Sequence, residues 1–209
     1  LYSTWVMPVY FISMLTLVIG NVTAVYQQSF KRMLAYSSIS HAGYMLLTVS
    51  ARQNSSTSSI LFYSLAYTLA TLTAFAVFKL VSEYQTGRTE KPENFQSFEG
   101  LAKANPYLAF CLTVSLLSLA GIPLTAGFWG KFFVFSDTFN RNIIYPVILA
   151  VLMSAVGIYY YFKGIIAVYF KQGDIPTIEI SPLYRAALGI TSLATLVLGL
   201  FPNLVKSLF

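Results

Sequence analysis

The stretch SLLSLAGIPLTAGFWGKFFVF, from Ser115 to Phe135, constrains this chain most, because it sets a single lysine, Lys131, in an apolar run interrupted by Gly121, Pro123, Thr125, Gly127 and Gly130. Between Tyr107 and Phe139 only Lys131 and Asp137 carry charge, and those 33 residues would make a helix about 50 Å long at about 1.5 Å per residue. A bilayer core is about 30 Å thick, so one straight spanning helix does not fit. Pro123 removes a backbone donor where the glycines already weaken the helix. The stretch therefore predicts two half-helices joined by unwound backbone. Such backbone is tolerated at membrane depth only where protein or a water-filled cavity satisfies it, and an intramembrane lysine is costly without a task. Together they point to an ion pathway. The competing reading places Lys131 near the end of an ordinary helix, reaching the interface over a stem covered by Trp129, Phe132 and Phe133.

Composition supplies the membrane. Of 209 residues, 56% are hydrophobic and 10% charged, and the mean hydropathy is +0.68, too apolar for a soluble domain. The opening LYSTWVMPVYF has no basic segment and no small-residue cleavage site, so no signal peptide is expected, and the missing initial Met is expected of a fragment. Cys111 and His41 stand alone in their residue types, which excludes an intrachain disulfide and a metal site built from four Cys and His ligands. No Rossmann fingerprint, phosphate loop or cysteine cluster is present, so redox chemistry is expected in partners. The net charge of +6 is scattered between apolar runs, which fits membrane orientation and not nucleic-acid binding.

Spans are expected at Trp5 to Tyr26, Met33 to Ser50, Ser59 to Val81, the broken segment, Ile143 to Phe170, and Leu183 to Phe201. Arg52 to Ser59 reads as a loop, and Ser82 to Pro106 as the main extramembrane loop. Six passes put nine basic residues on one side: Lys31, Arg32, Lys79, Arg88, Lys91, Lys103, Lys163, Lys171 and Arg185. The other side receives Arg52, Arg141 and Lys206. This asymmetry places the Ser82 to Pro106 loop in the cytoplasm.

On the second span, Ser37, His41, Tyr44 and Thr48 recur at spacings of four, three and four, and so share one helical stripe. A titratable imidazole among hydroxyls can order water and relay protons; equally, such groups tie neighbouring helices together. Lys31 and Arg32 read as a cytoplasmic anchor, and Tyr159, Tyr160 and Tyr161 as packing and interface residues, with Tyr160 near the broken helix. Asp137 is the only acid inside an apolar span, so Lys131 has no obvious carboxylate partner and is the candidate reversible proton carrier.

The motifs LSLAGIPLTAGFWGKF and KRMLAYSSISHAGYM, with the connecting FEGLAKANP at Phe98 to Pro106, resemble in order and register the signatures of the antiporter-like membrane subunits of respiratory complex I, over Leu1 to about Phe201. That resemblance implies an all-α, polytopic transmembrane helix bundle of about six spans with one discontinuous helix. Residues 1–209 would be a single membrane domain, with 1–170 the second five-helix repeat and 183–201 a final transmembrane helix; the first repeat would be missing from this chain. The resemblance also implies a proton-translocating subunit of an NADH:quinone oxidoreductase in a bacterial inner membrane. Lys131 would be the proton carrier and His41 a relay, and the pathway and helix break would hold Ser37, Tyr44, Thr48, Gly121, Pro123, Thr125, Gly127 and Gly130. No cofactor is expected in this chain; NADH, FMN, iron–sulfur clusters and quinone belong to partner subunits, and the neighbours are other antiporter-like membrane subunits and lipid. A subunit of a multisubunit sodium/proton antiporter and a structural membrane module without transport remain as alternatives.

Overall fold

The computed structural model describes residues 2–51, 55–87, 89–140, 144–173 and 175–206, with backbone only at 2–4 and 205–206. Arg52, Arg88, Arg141 and Ile143, and the side chain of Lys206, lie outside the described residues. Among those described there is no strand, and the chain forms α1 (Tyr2–Val25), α2 (Phe30–Ala51), α3 (Ser56–Gln85), a 3-10 turn (Phe95–Phe98), α4 (Leu101–Ala104), α5 (Pro106–Ala120), α6 (Ala126–Phe139), α7 (Ile144–Phe170), α8 (Pro182–Leu200) and α9 (Asn203–Lys206). Helices α1 (over Trp5–Val25), α3, α7 and α8 are each long and apolar enough to cross a membrane, and α5 is a shorter apolar helix.

Several boundaries differ from the sequence reading, for local reasons. Helix α2 begins at Phe30 and not at Met33, because Ser29 caps it: the Ser29 hydroxyl accepts from the Arg32 N–H (3.3 Å) and the Ser29 carbonyl from the Met33 N–H (2.9 Å). Lys31 and Arg32 thus sit in its first turn. There the helix dipole disfavours a cation, and Lys31 pairs with Glu93 at 3.0 Å. Helix α3 starts at Ser56, inside the expected loop, with Ser58 folding its hydroxyl back to the Ser55 carbonyl at 2.9 Å. It runs on to Gln85, four residues beyond the expected end. Helix α8 is capped by Ser181, with Pro182 as its first residue.

Helices α1 and α2 form a hairpin, tied across its middle where Ser13 donates to the Gly43 carbonyl at 2.8 Å. Helix α3 packs on α5, α6 and α8, while α7 closes against α1 and α5. Lipid gives no hydrophobic force between helices, so close packing and interhelical hydrogen bonds hold such a bundle. Outside lipid the hydrophobic effect returns, and it fastens the long loop. Phe30 stacks on Phe98 (4.7 Å between ring centres), meets Phe95 edge-on at 5.5 Å and lies parallel to Phe78 at 6.0 Å. Each buried ring of this kind is worth about 1.5–3 kcal/mol. Backbone bonds from Phe30 to Glu93 and from Phe95 to Gln28 complete the seam.

The same end of the bundle holds Lys31, Lys163 and Lys171. Lys163 donates to the Gln27 carbonyl at 2.9 Å and lies over the Phe95 ring, and Lys171 pairs with Glu99 at 2.9 Å. Gln96 is exposed on the 3-10 turn. A cysteine placed at Gln96 is predicted to resist a membrane-impermeant thiol reagent in intact cells and to react in inverted vesicles; ready labelling from outside overturns the cytoplasmic placement of this loop.

Candidate functional site

The break between α5 and α6 is built by local chain chemistry. Gly121 ends α5 at φ +84°, a left-handed conformation that glycine adopts without penalty. From there its N–H reaches the Ser118 carbonyl (3.0 Å) while the Ile122 N–H reaches Leu117 (3.0 Å), the paired bonds of a Schellman ending. Thr125 starts α6, donating its hydroxyl back to the Ile122 carbonyl at 2.7 Å. The Gly127 N–H, one of the unpaired donors of the new helix, is taken by the Ser118 hydroxyl at 3.1 Å. This contact requires glycine, since a Cβ at 127 would lie 1.8 Å from the Ser118 carbonyl oxygen. Leu124 is held at φ +75°, which costs a leucine roughly 1–2 kcal/mol. Helix α8 secures the strained turn: Trp129 donates to the Gly199 carbonyl at 2.8 Å, and Gly199 packs against the Leu124 backbone.

Lys131 lies one and a half turns into α6 and folds back across this break. Its Nζ donates to the carbonyl of Ala120, the last residue of α5 (2.9 Å), and to the Ser154 hydroxyl of α7 (3.1 Å). It is 5% exposed and stands 5.3 Å from the centre of the Tyr44 ring. Among the described residues no ion pair involves it. The carbonyl end of α5 supplies the negative end of a helix dipole in place of a carboxylate. The interface-seeking reading of Lys131 fails, because the amine turns inward to the break.

His41 anchors a second polar line. Its Nδ1 meets the Tyr63 hydroxyl at 2.7 Å and its Nε2 the Tyr161 hydroxyl at 3.1 Å; Tyr161 also bonds Ser37. A neutral imidazole has one N–H and one lone pair, so one phenol donates to the ring and the other accepts from it. Passing a proton through the ring reverses the polarity of the line Tyr63–His41–Tyr161–Ser37, which is how such a chain relays protons. A cavity with about 10 Å³ open to the centre of a water-sized sphere lies against His41, Tyr63, Tyr67, Ser118 and Gly127. That is room for about one water between the imidazole line and the break.

The structure thus brings Ser37 and His41 together and sets Tyr44 beside Lys131. Tyr44 also donates to the Ala150 carbonyl at 3.3 Å, and Thr48 bonds to the Tyr44 carbonyl of its own helix at 3.4 Å. Gly121, Pro123 and Thr125 lie in the turn, and Gly127 and Gly130 in the first turns of α6, Gly130 against the Tyr63 ring. Pro123 itself is exposed. The reading of the three tyrosines as packing and interface residues is corrected at Tyr161, which holds His41, and at Tyr160, which donates to Asn21 of α1 at 3.1 Å, while Tyr159 is exposed. Sequence reasoning missed Tyr63, Tyr161 and Ser154, whose roles arise only from contacts between helices. Among the described residues no three His, Cys, Asp or Glu side chains come together as a metal site.

Gly121 also touches the lysine, since a Cβ there would lie 2.8 Å from Lys131 Cδ and 3.3 Å from Nζ. Gly121→Ala is predicted to cost about 1–2 kcal/mol in backbone strain and to push the amine off the Ala120 carbonyl. The 15N resonance of Lys131 Nζ should shift although the lysine is retained; an unchanged resonance would show that this contact is dispensable.

Residues 1–157 match the family described as NADH:quinone oxidoreductase/Mrp antiporter, TM. NADH-quinone oxidoreductase subunit N of Cytophaga hutchinsonii is 40% identical over 201 residues, covering 93% of this chain and 42% of that protein. The chain spans about two fifths of the length of the curated relatives it matches. A chain of respiratory complex I from Thermus thermophilus with bound aureothin superposes with a TM-score of 0.85 at 35% identity, covering 96% of this chain and 45% of that one. A chain of the Mrp complex from Dietzia sp. DQ12-45-1b reaches a TM-score of 0.87 at 21% identity over 99% of this chain and 46% of that one, a likeness of fold. This all-α bundle with its broken helix belongs to the NADH:quinone oxidoreductase/Mrp antiporter transmembrane family.

Proposed function

We propose that this chain is the second five-helix repeat (residues 1–170) and a final helix (183–201) of subunit N of a proton-translocating NADH:quinone oxidoreductase in a bacterial inner membrane. It carries protons while partner subunits, which hold the NADH, FMN, iron–sulfur and quinone chemistry, oxidise NADH and reduce quinone. The observation that carries the reading is the buried amine of Lys131, bonded across a helix break to a backbone carbonyl and a serine, with no ion-pair partner among the described residues. A lysine held by neutral groups has no fixed counter-ion and can release its proton when neighbouring charge or hydration changes. His41, with Tyr63, Tyr161 and Ser37, supplies the relay that delivers or removes that proton.

The alternative, a subunit of a multisubunit sodium/proton antiporter, shares the matched family and the fold at 21% identity, whereas identity to NADH-quinone oxidoreductase subunits N is 36–40%. In the complex containing this chain, Lys131→Ala is predicted to slow proton transport through the subunit by about a hundredfold, the lower end of what a positioned proton-transfer group contributes. Assembly and NADH oxidation with an artificial acceptor should persist. Lys131→Arg should fail as well, because a guanidinium does not give up its proton. Full transport by an assembled Lys131→Ala complex would remove the proposed role.

A further inference from the structure

We propose that Asp137, backed by Ser55 and Ser59, is the proton-accepting group at the end of the pathway opposite the long loop, a placement that rests on the proton-transport reading above. Asp137 lies near the end of α6 and is 4% exposed. Its Oδ1 accepts from the Ser55 hydroxyl at 2.6 Å, while its Oδ2 is buried and has, among the described residues, neither a hydrogen-bond partner nor an ion pair. Ser59 is 1% exposed and its hydroxyl is likewise unpartnered. Leaving such groups unpaired inside a protein costs about 1–3 kcal/mol each, and more for a charged one. Two of them at one end of the bundle mark a place where a partner comes and goes.

The position of these groups connects them to the site already described. Ser55, the residue before α3, and Ser59 and Tyr63 within it recur at intervals of four and so lie along one face, about 6 Å apart per step. Tyr63, at the inner end of this ladder, holds His41 Nδ1. Helix α6 runs antiparallel along the same face, with Gly130 against the Tyr63 ring and Asp137 bonded to Ser55. Between them Val134, fully buried, fills the intervening turn. The polar line is therefore interrupted by one apolar turn, and it conducts only when water enters beside Val134.

In that hydrated state a water bonded to Ser59 gives a proton to Oδ2. Its O–H bond breaks as the Oδ2–H bond forms, and the water regains a proton from the Tyr63–His41 side. Asp137 then passes its proton to solvent water beyond the end of α6 and returns to the carboxylate. No electron changes hands.

Three variants of the assembled complex test this. Asp137→Asn keeps the size of the side chain and the acceptor for Ser55, and is expected to lower proton transport at least about tenfold while NADH oxidation with an artificial acceptor is unchanged. Asp137→Glu should retain most transport. In infrared difference spectra taken during turnover, a carboxylic-acid carbonyl band should be present in the unaltered complex, shifted in Asp137→Glu and absent in Asp137→Asn, a signature that a merely structural tie to Ser55 would not produce. Full transport in Asp137→Asn alongside a defective Lys131→Ala overturns the assignment of Asp137 and leaves the proton-transport reading standing; full transport in both removes that reading itself. If Asp137→Asn does not assemble, the carbonyl band decides, and its failure to shift in Asp137→Glu overturns the proposal.

Discussion

The bond between Lys131 Nζ and the Ala120 carbonyl is the interaction on which the rest of this bundle depends. A helix that stops inside a membrane leaves carbonyls on one side and N–H groups on the other, with no bulk water to take them. Here the Schellman turn at Gly121 uses the carbonyls of Leu117 and Ser118, the Ser118 hydroxyl takes the Gly127 N–H, and the lysine takes Ala120. The amine and the break are thus each other's solution. Without the amine, Ala120 would lose its side-chain donor; without the break, the amine would have no backbone acceptor at that depth.

That mutual arrangement constrains the neighbours. Leu124 adopts its positive φ because α8 presses Gly199 against the turn and accepts the Trp129 indole. Helix α3 brings Tyr63 to His41 and lies beside Gly130, where a larger residue would press on the Tyr63 ring. Polar groups therefore follow one line through the packed interior, from Ser37 and Tyr161 past His41 and Tyr63 to a small cavity at the break. Each is satisfied by a partner on another helix, so the hydrogen bonds that hold the helices in register also form the candidate relay.

What could be read from the sequence was what local chemistry decides. Glycine, proline and the limited thickness of a bilayer dictate a break after Ala120, and apolar run lengths give α1, α3, α7 and α8 to within a few residues. Even at the boundaries the errors have a local cause: Ser29 caps α2 three residues early, and Ser58 bonds back to the Ser55 carbonyl in the first turn of α3. The lysine's missing carboxylate was visible because acids are nearly absent from the apolar runs. Its actual partners were not, since a carbonyl carries no residue-type signal and Ser154 is one of many serines. Nothing local in the sequence separates Tyr161 from a packing residue, since its contact with His41 bridges two helices far apart in sequence. The unpartnered oxygen of Asp137 is equally a product of packing, as the sequence shows a carboxylate near a helix end and nothing of its burial.

The central claim is that the amine of Lys131 changes protonation during turnover, and the 15N resonance of its Nζ reports this directly. In the assembled complex, labelled at lysine and assigned through its loss in Lys131→Ala, the resonance is predicted to sit at the ammonium position in one state of the working enzyme and at the amine position in another. A resonance that holds the ammonium position at rest, under NADH and with reduced quinone would contradict the account.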